Sequence, residues 1–179
     1  PLAKGMNSEF ANQNAYDSIQ VHGGSGFMME YKCQQLYRDA RITSIYEGTT
    51  QLQTVAAIRY VTNGTYMSVI RDYEAIPVAE EYEGYMRRIK EMASKLEAAT
   101  NAVKDAADQE LLDFCARKLY EMTAYTIMCH LLLQDTQKAP EMFAASLNVF
   151  VNHAESEVEK HFNYIRKMDA AQLANYRKA

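Results

Sequence analysis

The chain has no tryptophan, only 3 prolines and 7 glycines in 179 residues, and 3 cysteines, none of them in a C-x-x-C pair. So few helix breakers favour long helices. An odd number of widely spaced cysteines (Cys33, Cys115, Cys129) suggests reduced thiols in a cytoplasmic setting. No apolar run approaches the ~20 residues of a membrane-spanning helix. Excess positive charge is missing as well. Lys and Arg number 19 against 23 Asp and Glu, a formal net charge of −4, which argues against a nucleic-acid-binding face. The first residue is Pro1 rather than an initiator Met, so the chain reads as a piece of a longer protein and a missing targeting segment carries no information.

What is abundant points the same way as what is scarce. Hydrophobic residues make up 48% of the chain, with 13 Tyr and 10 Met. Tyrosine buries its ring while its hydroxyl finds water or a partner, and methionine fills irregular gaps between helices. The length allows one domain or two small ones.

Hydrophobic periodicity predicts helix from Leu2 to about Val21, with Leu2, Met6, Phe10, Ala15 and Ile19 near one stripe. A glycine-containing loop is expected over residues 22–32, and helix again over 33–42. Glu47-Gly48 breaks the pattern, and Thr49 reads as the N-cap of the next helix. That helix fades near Asn63-Gly64. After Ile76-Pro77 three long stripes follow. The first runs from Tyr82 through Ile89 and Leu96 to Val103, and the second from Leu111 through Leu119 to Leu133. The third runs from Met142 through Val151 to Met168. Residues 134–140 read as a turn with Pro140 in the first turn of the third helix, and a short helix is expected after Asp169. Long helices with short connections predict an all-α, antiparallel helical bundle. Two regions are expected, 1–75 and 76–179.

Two segments carry the chemistry. Gln20-Val21-His22-Gly23-Gly24-Ser25-Gly26-Phe27 is glycine-rich and follows a helix. Arg38-Asp39-Ala40-Arg41-Ile42-Thr43-Ser44-Ile45-Tyr46-Glu47-Gly48-Thr49 places one carboxylate in a short turn before a helix. On residue chemistry alone, Glu47 reads either as a helix N-terminal charge or as a partly desolvated base with a raised pKa. Likewise, the glycines alone read as a flexible connection, because no strand precedes them and the third glycine of a dinucleotide fingerprint is missing.

Taken whole, the second segment closely resembles the R-D-A-[KR]-I-x-x-I-Y-E-G-T signature of acyl-CoA dehydrogenases, and the first resembles their Q-x-x-G-G-x-G-[FY]. The resemblance covers residues 2–66. It implies the latter half of the C-terminal helical domain of an FAD enzyme that desaturates acyl-CoA thioesters. In that reading Glu47 removes the substrate's α-proton, with Tyr46 and Gly48 beside the substrate. Gln20, Val21, His22, Gly23 and Gly24 then contact FAD bound mainly by a neighbouring subunit, while Thr49, Thr50 and Gln51 lie on the flavin side. Some relatives take the base from another position, but here the glutamate is present. His22 stands where relatives often carry Phe. An acyl-CoA substrate, an electron-transferring flavoprotein as acceptor and a homo-oligomer are implied as partners. Residues 76–179 resemble the C-terminal extension of some bacterial members. The alternatives are an acyl-CoA oxidase, or a helical oligomerisation or interaction module without catalysis.

Other features invite plainer readings. Arg38 and Asp39 read as ion-pair or helix-surface residues. His153, Glu157 and His161, spaced by four, read as a solvated helix face, because helical zinc sites carry closer histidines and a third ligand; no metal site is expected. Cys115 and Cys129 read as small core residues.

Overall fold

A computed structural model describes residues 1–168 and 170–176. It contains α1 (Leu2–His22), α2 (Gly24–Phe27), α3 (Lys32–Thr43), α4 (Thr50–Thr62) and α5 (Thr65–Glu74). A 3-10 turn at Glu80–Tyr82 precedes α6 (Glu83–Asp105), α7 (Gln109–Lys138), α8 (Pro140–Lys167) and α9 (Ala170–Tyr176). No strand occurs among the described residues, and the all-α expectation holds. Among them, too, no helix is long and apolar enough to cross a membrane. Packing divides the chain into two compact units, Pro1–Ala57 and Ile58–Ala179, with the division inside α4.

In the first unit α1 packs along α3, and the four-residue α2 bridges them. The expected loop over residues 22–32 is therefore corrected: Gly24–Phe27 is a helical turn. Gly26 permits it, since a Cβ there would sit 2.8 Å from both the His22 Cβ and the Ile19 carbonyl. Glycine composition signalled a loop, but close helix approach was the reason for the glycine.

The second unit is built on α6, α7 and α8. Arg88 pairs with Glu155 at 2.6 Å and Lys95 with Glu159, so α6 and α8 ascend together. Glu121 meets His161, while Tyr125 meets Phe150 and His153, so α7 runs against α8. This is the expected antiparallel arrangement. The stripe residues Met86, Ile89, Met92, Leu96, Leu119, Leu133, Leu147, Val151 and Val158 are all buried. Asp108 caps α7, its Oδ1 accepting from the Glu110 and Leu111 amides at 2.9 and 3.2 Å.

Three expectations need correction. The turn expected over 134–140 shrinks to Ala139, because α7 continues to Lys138 and Pro140 starts α8. Helix α5 occupies Thr65–Glu74, which the apolar pattern had left blank; it packs on α6 and α7 through the fully buried Ile70. The third concerns His161. It is not solvated but 7% exposed, with Nε2 2.8 Å from Glu121. The periodicity placed it on a polar face, and the antiparallel register of α7 supplied the carboxylate that lets it be buried. Glu121 is desolvated, which alone would raise its pKa. The hydrogen bonds from His161 and Arg117 outweigh that, and its carboxyl titrates below the usual 4.5. A depressed carboxylate pKa contributes stability above the unfolded value, and that contribution is lost as pH falls through the folded one. We therefore expect the second unit to lose stability below about pH 4.5 and Glu121→Gln to flatten this acid limb in denaturant titrations run at a series of pH values. An unchanged acid limb would show that the pair contributes nothing.

Helix α7 also buries polar groups that no stripe predicts. Thr123, Thr126 and Thr136 return their hydroxyls to carbonyls four residues back. His130 is 1% exposed and stacks on Tyr73 at 5.8 Å, and desolvation pushes its pKa down to about 4. The reason is location: α7 is packed against α5, α6, α8 and α9, so more than one face is covered. Cys115 and Cys129 are fully buried core residues as expected, and burial pushes the Cys129 thiol up to about 12. Among the described residues no group of His, Cys, Asp or Glu is arranged to hold a metal ion.

Candidate functional site

The carboxylate-bearing turn spans the gap between α3 and α4, residues 44–49. It opens with the Ile45 and Tyr46 amides folding back on the Ile42 carbonyl at 2.9 and 3.0 Å. It closes with the Thr50 amide on the Ser44 carbonyl at 3.1 Å. Between these anchors the backbone enters the left-handed region twice, at Glu47 (φ 53°) and Gly48 (φ 89°). Glycine adopts that conformation freely, whereas glutamate does so at a cost of about 1–2 kcal/mol, which the surrounding bonds must hold. A Cβ on Gly48 would also lie 2.9 Å from Gln53 Nε2.

Glu47 is exposed, as are Tyr46 and Thr49. The expected partial desolvation of Glu47 is thus not produced by this chain's own residues. What the fold supplies is aim: the left-handed pair turns the carboxylate out of the α3–α4 connection. Thr49 is the N-cap as expected, its Oγ1 accepting from the Leu52 amide at 3.2 Å. Gln51 is exposed on the first turn of α4, while Thr50 is buried and its hydroxyl donates to Glu9 at 2.6 Å.

The glycine-rich segment lies at the end of α1. Gln20 donates to the Tyr16 hydroxyl at 3.2 Å, and Val21 is 84% exposed. His22 packs locally: Nδ1 lies 2.8 Å from the Ser18 carbonyl and 3.4 Å from Cys33 Sγ, with the ring beside Tyr31. Gly23 ends α1, and a Cβ at Gly23 or Gly24 would meet no heavy atom within 4 Å. Their backbone is open to an incoming group. Beside it lies a groove of about 420 Å³ lined by Tyr16, Ile19, Gln20, Phe27, Tyr37 and Arg38. Arg38 and Asp39 both sit on the surface of α3.

The sequence reading missed two residues that hold the turn. Lys4 Nζ donates to the Gly48 carbonyl at 2.7 Å and lies 5.8 Å from the Tyr46 ring centre. Gln53 Nε2 donates to the Glu47 and Gly48 carbonyls at 3.1 and 3.4 Å. A signal existed for the first, since Lys4, Ser8 and Asn12 form a polar row at four-residue spacing.

Comparison with known proteins agrees with the helical fold described above. The family model described as acyl-CoA dehydrogenase C terminal matches residues 62–173, and the acyl-CoA dehydrogenase C-terminal domain model matches residues 1–61. The chain belongs to the acyl-CoA dehydrogenase family. An acyl-CoA dehydrogenase of Bacillus subtilis is 41% identical over 64 residues, which is 36% of this chain and 17% of that protein. The chain therefore spans about a sixth of the length of that relative. A crystal structure of an acyl-CoA dehydrogenase family protein from Porphyromonas gingivalis matches with a TM-score of 0.60 and 36% identity, covering 64% of this chain and 98% of that one. An acyl-CoA dehydrogenase from Bacillus anthracis, crystallised with FAD, matches 99% of this chain and 34% of its own with a TM-score of 0.76. At 19% identity that likeness speaks for the fold.

Proposed function

We propose that this chain is the C-terminal part of an FAD-dependent acyl-CoA dehydrogenase, with Glu47 as the base for the substrate's α-proton. The observation that carries this reading is an outward-facing carboxylate in a turn whose backbone is tied down from both sides, within the family's Tyr46-Glu47-Gly48-Thr49 segment. Glu47 takes the proton from the carbon next to the thioester carbonyl, with Tyr46 and Gly48 beside the substrate. Bound FAD would supply the acceptor for the hydride leaving the β-carbon, and an enoyl-CoA is the product.

The residues present fit part of such a cofactor. Open backbone at Gly23 and Gly24, aromatic rings in the adjoining groove and the Arg38 cation suit a flat ring system attached to phosphates. Gln20, Val21 and His22 would border it from the end of α1. Of the three flavin-side residues, Thr49 and Gln51 are exposed, whereas the Thr50 hydroxyl and amide are already engaged within the unit. Val21, Phe27 and Met29 are 84, 78 and 86% exposed, which supports their being covered by a neighbouring subunit in a homo-oligomer. Three free, buried thiols support a reducing, cytoplasmic location. In function we divide the chain at about residue 76, the remainder to 179 being a helical extension.

The test is to mix the intact flavoenzyme anaerobically with acyl-CoA. Loss of the flavin's visible absorbance together with enoyl-CoA formation is expected. A flavin that stays oxidised with every chain length tried would overturn the assignment. Rapid reoxidation by oxygen would mark an oxidase; slow reoxidation with fast transfer to an electron-transferring flavoprotein would mark a dehydrogenase. These 179 residues alone are expected to purify without yellow colour, since their few cofactor contacts cannot offset the entropy lost on binding. Stoichiometric flavin in that preparation would show that the contacts suffice.

A further inference from the structure

Three side chains on one face of α1 reach carbonyls of the neighbouring segment at successive turns. Asn12 Nδ2 donates to the Ala40 carbonyl at 3.0 Å, Ser8 Oγ to that of Thr43 at 2.9 Å and Lys4 Nζ to that of Gly48 at 2.7 Å. The first two perform a common task, because the last carbonyls of α3 have no backbone amide partner within their own helix; the Ala40 carbonyl also accepts from the Thr43 hydroxyl. The third bond does something different. It passes the end of α3 and closes on the turn itself, where no helix needs capping.

We propose that Lys4 is a positioning residue for the base: its ammonium, donated to the Gly48 carbonyl, holds the left-handed Glu47-Gly48 pair that aims the carboxylate. This rests on the assignment of Glu47 as the base. A charge-assisted bond to a carbonyl is shorter and stronger than a neutral one, and at 2.7 Å it is the shorter of the two tethers on Gly48. Gln53, the other tether, divides its amide between two carbonyls at 3.1 and 3.4 Å. Gly48 by itself imposes no single conformation, since glycine populates both signs of φ with similar ease. Without Lys4 the pair keeps its anchors at Ser44 and Thr50 and the longer Gln53 bonds but loses its shortest tether, and with it the fixed aim. Glu47, strained at φ 53°, is then released toward ordinary backbone. The sequence separation explains why the device is invisible locally: Lys4 and Gly48 are 44 residues apart.

The experiment compares Lys4→Met, which keeps the apolar stem and removes the donor, with Lys4→Arg in the intact flavoenzyme. Lys4→Met is expected to slow flavin reduction by acyl-CoA about 10- to 100-fold, the scale of an ångström-sized misplacement. Bound flavin and thermal midpoint should stay at parent values, and the isotope effect with α-deuterated substrate should rise as proton removal becomes limiting. Lys4→Arg should recover most of the rate. In the 179-residue chain, amide hydrogen exchange over residues 46–49 should accelerate in Lys4→Met, with exchange in α6 to α8 unchanged. Parent rates and isotope effect in Lys4→Met would overturn the proposal. So would a rate that falls only in step with lost flavin or lowered thermal midpoint. Glu47→Gln is measured alongside: normal turnover there would sink the base assignment, while the exchange measurement still decides whether Lys4 holds the turn.

Discussion

Glu47→Gln in the intact flavoenzyme is expected to cut turnover by about 10²- to 10⁴-fold, the usual cost of losing a positioned base, with flavin content unchanged. The substitution keeps the length and shape of the side chain and removes its ability to accept a proton. The turn should survive it. Its bonds run from Lys4 and Gln53 to backbone carbonyls, and from the Ile45, Tyr46 and Thr50 amides to the Ile42 and Ser44 carbonyls, none through the Glu47 side chain. The measurement is turnover with a matched acyl-CoA beside the flavin absorbance of the same sample. Near-normal turnover would place the base elsewhere, and flavin lost along with activity would make Glu47 a structural residue.

Leu119→Ala is expected to destabilise the second unit by about 2–5 kcal/mol, the range for emptying a well-packed leucine site. Leu119 is fully buried on α7, the helix packed against four others, so the surroundings have little freedom to collapse into the cavity. Leu131→Ala on the same helix is the control. That residue is 43% exposed, and its loss should cost within about 0.5 kcal/mol, as for other surface substitutions. Urea unfolding of the two variants gives the comparison. Equal midpoints would mean that α7 is not the centre of the unit's cohesion.

Much of the bundle was legible because helix burial follows a period that chemistry repeats. Ile89, Leu96 and Val103 on α6, and Leu147, Val151 and Val158 on α8, are one-sided helices whose apolar rows are their buried rows. Helix α7 was read less completely. Its threonines and His130 are polar by type but lie where neighbours cover them, and no single stripe describes a helix with several covered faces. Helix α5 escaped notice because its short apolar row, centred on Ile70, forms less than three turns of pattern.

The site shows the same boundary. Residue identity alone determined that a lone carboxylate stands between Tyr46 and Gly48 ahead of a threonine-capped helix, and that a glycine-rich segment ends α1. Both are local facts, set by capping chemistry and glycine's freedom within a few residues. Tertiary structure decided the rest. It put Lys4 and Gln53 on the carbonyls of the turn, sent the Thr50 hydroxyl to Glu9, and buried His161 against Glu121. Each of these is a polar group meeting a partner, and outside Gln53 the partners lie roughly 40 residues away. Local pattern says only that a side chain can bond; which group it meets is set when packed helices bring distant segments into register.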